Sequence, residues 1–296
     1  MQPNLKIGIV GLPGKWSTEI LAKAVAEKTG FHLVIDMSLV KLDLSTQELS
    51  YKGQNLCLMD ALIVKKISHQ YSPHMLDRLE LLKIAENAGV KIFSRPKKIQ
   101  RLIDRLSCTV SLNQAGIPMP ETRIMENIED AITTVDDFGI AIFKPLFSSK
   151  ARGMRIIRKT DGRAIVRKAV EKFKSDNQVM YIQKKLDLGG RDMGLIFLDG
   201  CYLGAYARVA EKDAWNTSIH SGGVYAPAEP SDEIVQLACR AQSVFDMAYT
   251  TVDVAETKNG PVIFEVSAFG GFRGAIDGIG IDVAELYVDN VLKTLE

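Results

Sequence analysis

The chain has few cysteines, and their arrangement supports no chemistry. Cys57, Cys108, Cys201 and Cys239 are widely scattered and form no CxxC pair. Paired-thiol metal and redox motifs are therefore absent, and reduced, mostly buried thiols of a cytoplasmic protein are expected. No stretch approaches the ~18 apolar residues of a membrane-crossing helix. The opening MQPNLKIGIVG reads as a strand rather than a signal peptide. A dominant charge is lacking too. Thirty-seven Lys and Arg against 36 Asp and Glu leave a formal net charge of +1, which gives no general attraction to nucleic acid or to an anionic membrane. Any anion site must arise from local clustering. Internal repeats and low-complexity tracts are missing. What is present is 296 residues, 46% of them hydrophobic, enough for one protein of two or three subdomains around a substantial interior.

The pattern divides the chain in three. In residues 1–95, the apolar run 5–11, a helix with Ser17 as N-cap and Glu19 in its first turn, HLVIDM, ALIVKKI, a helix near 75–89 and VKIF at 90–93 follow each other in β-α-β rhythm. That rhythm predicts a small parallel sheet with packed helices. Ile99, Leu102, Ile103, Leu106 and Val110 then predict one helix over about 96–115, stopped by Gly116, Pro118 and Pro120. An α+β middle (96–186) follows, with strands 139–146, 154–159 and 179–186 and a helix over 162–174. The α+β end (187–296) reads as a strand meander with helices over 231–246 and 282–295.

Glycine-rich nucleotide fingerprints are also absent. In GIVGLPGKW the first glycine of a phosphate loop would fall on Ile9, and Trp16 stands where a magnesium-holding Ser or Thr belongs. No G-x-G-x-x-G occurs either, so this segment reads as a structural turn. His69 and His74 match no zinc spacing and read as surface residues.

The strongest local signal is the strand pair 250–256 (TTVDVAE) and 262–268 (VIFEVSA), joined by TKNGP. A two-residue Asn259-Gly260 turn pairs Val254 with Glu265, mixing apolar and polar partners. A three-residue loop with Gly260 left-handed sets Val252 opposite Val266, Val254 opposite Phe264 and Asp253 opposite Glu265. The second register gives one buried face and is preferred. It leaves two carboxylates facing each other about 5 Å apart, a repulsive pair unless a divalent cation lies between them. Lys144 ends the apolar strand Ala141-Ile142-Phe143, a poor place for an unpaired ammonium and a good one for a phosphate clamp. The loop after it, PLFSSKARG, carries Ser148, Ser149, Lys150 and Arg152. Arg208, inside the strand YLGAYARV, calls for an anionic partner. Asn216, His220 and Arg273 stand among glycines downstream.

In this order these residues resemble the ATP-grasp superfamily, in particular its ribosomal-protein S6 glutamate ligase (RimK-like) group. The resemblance covers roughly residues 90–280. It rests on DRLSCTVSLNQAGIPMP, IFKPL with its small-residue loop, YIQKKL, GRDMG, Arg208, the HSGG turn and VDVAE…FEVSA. It implies an ATP-grasp fold, α/β and α+β, behind a Rossmann-like pre-ATP-grasp α/β domain. It also implies an ATP- and Mg2+-dependent carboxylate–amine ligase (Mn2+ as a substitute) acting through an acyl-phosphate. A non-turning nucleotide-binding regulatory protein is the alternative. On this resemblance Lys144 and Arg105 hold ATP phosphates, the loop with Ser148 and Ser149 closes over them, and Gln183, Lys184 and Lys185 bind adenine. Asp192 lies near the ribose or substrate edge. Asp253, Glu265 and Ser267 bind the metal, and Arg208 stabilises transferring charge. Three departures stand out: Arg105 replaces a typical lysine, Lys184 an acidic or neutral hinge residue, and Ser267 a metal-binding asparagine. Substrate contacts are expected from Arg191, Asn216, His220 and Arg273, in loops 187–192, 211–225 and 268–280. The partners are then an acid, small or peptidic, and an amine such as an amino acid. Neither nucleic acid nor membrane is involved, and a homodimer is the default assembly.

Overall fold

The computed structural model describes residues 5–296 except 213 and 215. Met1–Asn4 of the expected opening strand and two residues of the expected 211–225 loop therefore lie outside the described residues.

Four consecutive buried residues, Ile7–Val10 (β1), need cover on both faces, the situation of an interior parallel strand. Helix α1 (Trp16–Thr29) supplies part of that cover. Lys15 is its N-cap, not Ser17, and offers no capping side chain. Glu19 reaches back instead, its Oε1 accepting from the Gly14 N–H at 2.7 Å. β2 (Val34–Ile35) follows, then β3 (Lys41–Asp43), β4 (Glu48–Tyr51) and β5 (Gln54–Asn55), a small antiparallel sheet that the sequence reading missed. β6 (Ala61–Val64), α2 (His74–Asn87) and β7 (Lys91–Phe93) complete a parallel sheet in the order β2-β1-β6-β7.

The single helix expected over 96–115 is two: α3 (Pro96–Ile103) and α4 (Arg105–Gln114). Asp104 is extended between them, and its side chain accepts from the Leu106 N–H at 3.0 Å. An aspartate that caps a new helix outcompetes continuation of the old one. The break sets Arg105 at the start of α4, where its N–H bonds the Leu146 carbonyl.

β8 (Thr122–Met125) and α5 (Ile128–Phe138), also missed, open the middle unit. β9 (Ile140–Lys144), β10 (Arg155–Arg158), α6 (Arg163–Asp176) and β11 (Met180–Lys184) follow. The antiparallel order is β10-β9-β11-β8, with α5 and α6 packed on it through Val135, Phe143, Val170, Phe173 and Ile182.

The last unit is a five-stranded antiparallel sheet. β12 (Arg191–Leu198), β13 (Cys201–Val209), β14 (Val224–Pro227), α7 (Asp232–Ser243), β15 (Tyr249–Thr257), β16 (Gly260–Val266), α8 (Arg273–Ile279) and α9 (Val283–Leu295) occur in that chain order. The strands lie in the order β14-β13-β12-β15-β16. α9 packs against α1, where Lys28 bridges Glu285 at 3.0 Å and Asp289 at 2.6 Å. Among the described residues no helix is long and apolar enough to cross a membrane.

The β15–β16 hairpin keeps Val252 opposite Val266 and Asp253 opposite Glu265. The expected pairing of Val254 with Phe264 is corrected. A bulge follows Asp253, Val254 pairs with Ile263, and the turn is Lys258-Asn259, closed between Thr257 and Gly260, in place of both the preferred three-residue loop and the alternative Asn259-Gly260 turn. The shorter turn and the clean buried face coexist because Phe264 is the extra residue, turned out of the ladder.

Tyr206 wedges β13 against α8. A Cβ at Gly274 would lie 2.3 Å from its ring, and one at Gly194, its cross-strand neighbour, 2.4 Å. Both contacts are far inside van der Waals range and the ring is buried. Gly274→Ala is therefore expected to destabilise by about 1–3 kcal/mol despite the better helix residue. Gly271→Ala, with nothing within 4 Å, should be near neutral. Urea denaturation of both variants checks this.

Lys65, just past β6, crosses to the last unit. Its Nζ donates to the Gly270 carbonyl at 2.6 Å and stands 4.2 Å from the Phe272 ring centre. Burial, with Lys66 adding, pushes its ammonium down to about 7 from 10.5. Between those values the unfolded chain binds a proton that the folded one lacks, so this group makes stability rise with pH across that window. Lys65→Met should flatten the rise in melting temperature between pH 7 and 10, read by calorimetry.

Candidate active site

A cavity of about 520 Å3 opens between the middle sheet and the five-stranded one. Lys144 enters it from the end of β9. The alternation that buries Ala141 and Phe143 leaves Lys144 only 8% exposed. Its Nζ donates to Gln183 Oε1 on the adjacent strand and stands 5.4 Å from the Phe264 ring centre. Gln183 is held in turn by Thr122 Oγ1 at 3.0 Å. Among the described residues no carboxylate lies within ion-pair distance of Lys144. Burial pushes its ammonium down to about 7, Arg105 adding to the effect and Glu265 opposing it.

The facing wall carries the acids. Arg208 lies cross-strand from Asp192, and Asp253 follows on the next strand, beside Gly194. The Arg208 Nε donates to Asp192 Oδ1 at 3.0 Å, and its Nη2 lies 2.9 Å from Asp253 Oδ2. Burial works against the Arg208 charge, yet Asp253 and Asp192 hold it well above the usual arginine value. Burial pushes the Asp253 carboxyl up to about 7, with Arg208 opposing and Asp192 and Glu265 adding. Arg105 ties the second acid to the loop after β9. Its Nη1 lies 3.5 Å from Glu265 Oε2, its Nε donates to the Pro145 carbonyl at 3.2 Å and its Nη2 to Ser148 Oγ at 3.2 Å.

Arg105, Lys144, Ser149, Lys184, Lys185, Asp192, Arg208, Asn216, His220, Asp253, Glu265, Ser267 and Arg273 all line this one cavity. Ser148 lines a small adjoining crevice with Arg105, and Gln183 is buried beneath Lys144. Arg191 is exposed and does not line the cavity. Asp192 is the buried partner of Arg208 rather than a free group at the rim. Lys184 pairs with Glu121 at 2.5 Å, and Asn216 Oδ1 accepts from the Ser218 N–H. The Arg273 guanidinium stacks 4.7 Å over Trp16.

Sequence reasoning missed Lys66, Tyr71, Phe264 and Phe269, and the apolar lining Ile142, Met154, Leu186 and Leu188. Phe264 reached the cavity through a bulge that alternation does not encode. For Lys66 a signal existed, a charged doublet immediately after four apolar residues.

No group of three or more His, Cys, Asp or Glu able to hold a metal occurs among the described residues. Two carboxylates and a hydroxyl are nevertheless a hard, all-oxygen set. This suits magnesium, which keeps waters and phosphate oxygens in its remaining positions.

The model of the RimK-like ATP-grasp domain matches residues 103–291. The chain belongs to this family. A relative across the whole length of this ATP-grasp protein is the tetrahydromethanopterin:alpha-L-glutamate ligase of Methanosarcina acetivorans, 26% identical over 97% of this chain and 99% of that one. The ATP-grasp ligase PsnB, solved with a minimal precursor variant, Mg and ADP, superposes with a TM-score of 0.77 at 19% identity, covering 99% of this chain and 100% of that one. A RimK domain ATP-grasp protein from Sphaerobacter thermophilus gives 0.72 at 20% identity, over 97% and 99%. These likenesses establish the ATP-grasp fold, a mixed α/β architecture, for the whole chain.

Proposed function

We propose that this RimK-like ATP-grasp protein joins a carboxylic acid to an amine in an ATP- and magnesium-dependent reaction through an acyl-phosphate, with L-glutamate as the first amine to test. One observation carries the reading. A buried ammonium with no carboxylate partner among the described residues, Lys144, enters the same cavity as the crowded acids Asp253 and Glu265. An unpaired cation facing acids that crowd around two arginines suits a polyphosphate that brings its own divalent ion. The glutamate ligase named for the Methanosarcina relative supports the choice of amine.

In this reading residues 1–95 are the lead-in, and 96–186 and 187–296 the two ATP-grasp subdomains. Lys144, Arg105 and the loop with Ser148 and Ser149 hold the phosphates. The backbone of Gln183, Lys184 and Lys185 takes the adenine edge, with Ile142, Met154, Leu186 and Leu188 against its faces. Asp253, Glu265 and Ser267 hold magnesium, which supplies charge neutralisation on the phosphate oxygens. An oxygen of the acid attacks the γ-phosphorus, and its bond to the ADP oxygen breaks. The amine nitrogen then attacks the acyl carbon, the carbon–oxygen bond to phosphate breaks, and the nitrogen's proton leaves to solvent. Arg208 stabilises the charge on the transferring group and the departing phosphate. Catalysis is positioning and electrostatic stabilisation. Asn216, His220 and Arg273, with Arg191 outside, are the candidates for contacting the substrates. A cytoplasmic location accords with the supply of ATP and free amino acids.

A panel of carboxylic acids with L-glutamate, followed by ADP release and product mass, tests this. One ADP per amide is expected with at least one acid. ATP–magnesium that fails to bind by calorimetry, or that is consumed without amide formation, contradicts it.

A further inference from the structure

The turn after β1, which the sequence reading assigned a purely structural role, meets the end of β6 at the carboxyl edge of the parallel sheet. The Lys65 and Lys66 N–H groups both donate to the Val10 carbonyl, at 2.9 and 3.1 Å. Lys15 thus sits on the loop leaving β1 and Lys66 on the loop leaving β6, the edge where open parallel sheets bind ligands. From the other side comes the loop after β9. There Lys150 lines the same cavity as Lys66, and Arg152 is fixed by the Ser149 carbonyl at 3.3 Å and the Ser149 Oγ at 3.2 Å. Among the described residues none of Lys15, Lys66, Lys150 and Arg152 has a carboxylate within 4.0 Å. Burial first, then Lys150, Arg152 and Lys15, lowers the Lys66 ammonium from its ordinary value. Lys66 is half-buried and shares the cavity with Lys150, and like charges that meet in a partly desolvated site repel. Such an arrangement is explained by an anion that the protein itself does not supply.

We infer that Lys66 and Lys15, at the carboxyl edge of the lead-in sheet, form a second anion site that takes a further carboxylate or phosphate of the acid substrate, so that this protein selects acids carrying more than one negative charge. The inference rests on the ligase reading above and specifies its acid. The nucleotide phosphates are the other anion near these groups. Lys15 and Lys66 belong to the lead-in sheet, whereas Lys144, Gln183 and Lys185 belong to the middle one. This separation assigns the two lysines to the second substrate.

The test uses the full chain loaded with magnesium and AMPPNP, titrated calorimetrically with tricarballylate, a tricarboxylate, and with butyrate, a monocarboxylate. Tricarballylate should bind the native protein more tightly than butyrate. Lys66→Met should weaken it about tenfold or more, and Lys66→Arg should retain most of the affinity. AMPPNP affinity should stay unchanged in all three proteins. Without ligand, Lys66→Met and Lys15→Met should melt above the native protein because the repulsion is relieved. Equal tricarballylate affinity in native and Lys66→Met proteins, or no measurable binding to either, overturns the inference. So does a loss of AMPPNP affinity instead, which would assign these cations to the nucleotide. Turnover separates the two readings. Ligation whose acid preference is indifferent to Lys66→Met removes this inference alone. Tricarballylate binding as expected with no ADP release from any acid removes the ligase reading alone.

Discussion

Asp253→Asn is expected to lower the rate of ADP release by about a thousandfold, comparable to losing a principal electrostatic contact to a transition state. Asp253 stands at the crossing of three charges. Arg208 lies 2.9 Å away, Asp192 shares that arginine, and Glu265 faces it across the β15–β16 ladder. Asparagine keeps the shape and an oxygen donor but removes the charge that draws a divalent cation into a buried wall. The magnesium concentration giving half-maximal rate should therefore rise along with the fall in kcat. The fold should survive, because Arg208 keeps Asp192. A variant that retains native ADP release and magnesium dependence would show that the acids serve only to balance Arg208.

Lys144→Met should cut AMPPNP affinity and kcat/KM for ATP by about a hundredfold or more. The ammonium is buried, bonded to Gln183 Oε1 and without an ion-pair partner among the described residues. Its own burial is unfavourable, as the downward shift to about 7 records. A group kept at that cost in an apolar wall is useful when an anion arrives. Methionine has similar length and removes only the charge and the donor, and Gln183 stays anchored to Thr122. Circular dichroism should therefore report a native fold while equilibrium binding of AMPPNP reports the loss. Unchanged AMPPNP binding would place the triphosphate elsewhere.

How much of this was readable beforehand follows from which forces act locally. The parallel lead-in was legible because Ile7–Val10 and Ala61–Val64 are continuous apolar runs buried on both faces. The Asp253–Glu265 pairing was legible because a buried face at this end of the hairpin sets Val252 against Val266, and these two do meet, although the register slips by one toward the turn. Lys144 was legible as a charge where an apolar residue belongs. The bulge that turns Phe264 into the cavity was not, since Phe264 is as apolar as its neighbours and the phase shift that leaves Ile263 and Val266 buried three residues apart appears only in the paired strands. The break at Asp104 was hidden because the apolar spacing of Ile99, Leu102, Ile103 and Leu106 runs straight through it; only the side chain's bond to the Leu106 N–H ends the helix. The β3–β5 sheet consists of strands of two to four residues, too short for periodicity to emerge. The pairing of Asp192 with Arg208 is a tertiary fact. Two strands had to be set side by side before the half-buried arginine revealed which carboxylate it uses.

The central claim is tested most directly by isotope transfer. An acid that supports ADP release is labelled with 18O in its carboxylate and incubated with ATP, magnesium and L-glutamate, and the inorganic phosphate is analysed by mass spectrometry. The account predicts one labelled oxygen per phosphate released, because the carboxylate oxygen that attacks phosphorus departs with it when the amide forms. Amide formation with unlabelled phosphate would contradict it.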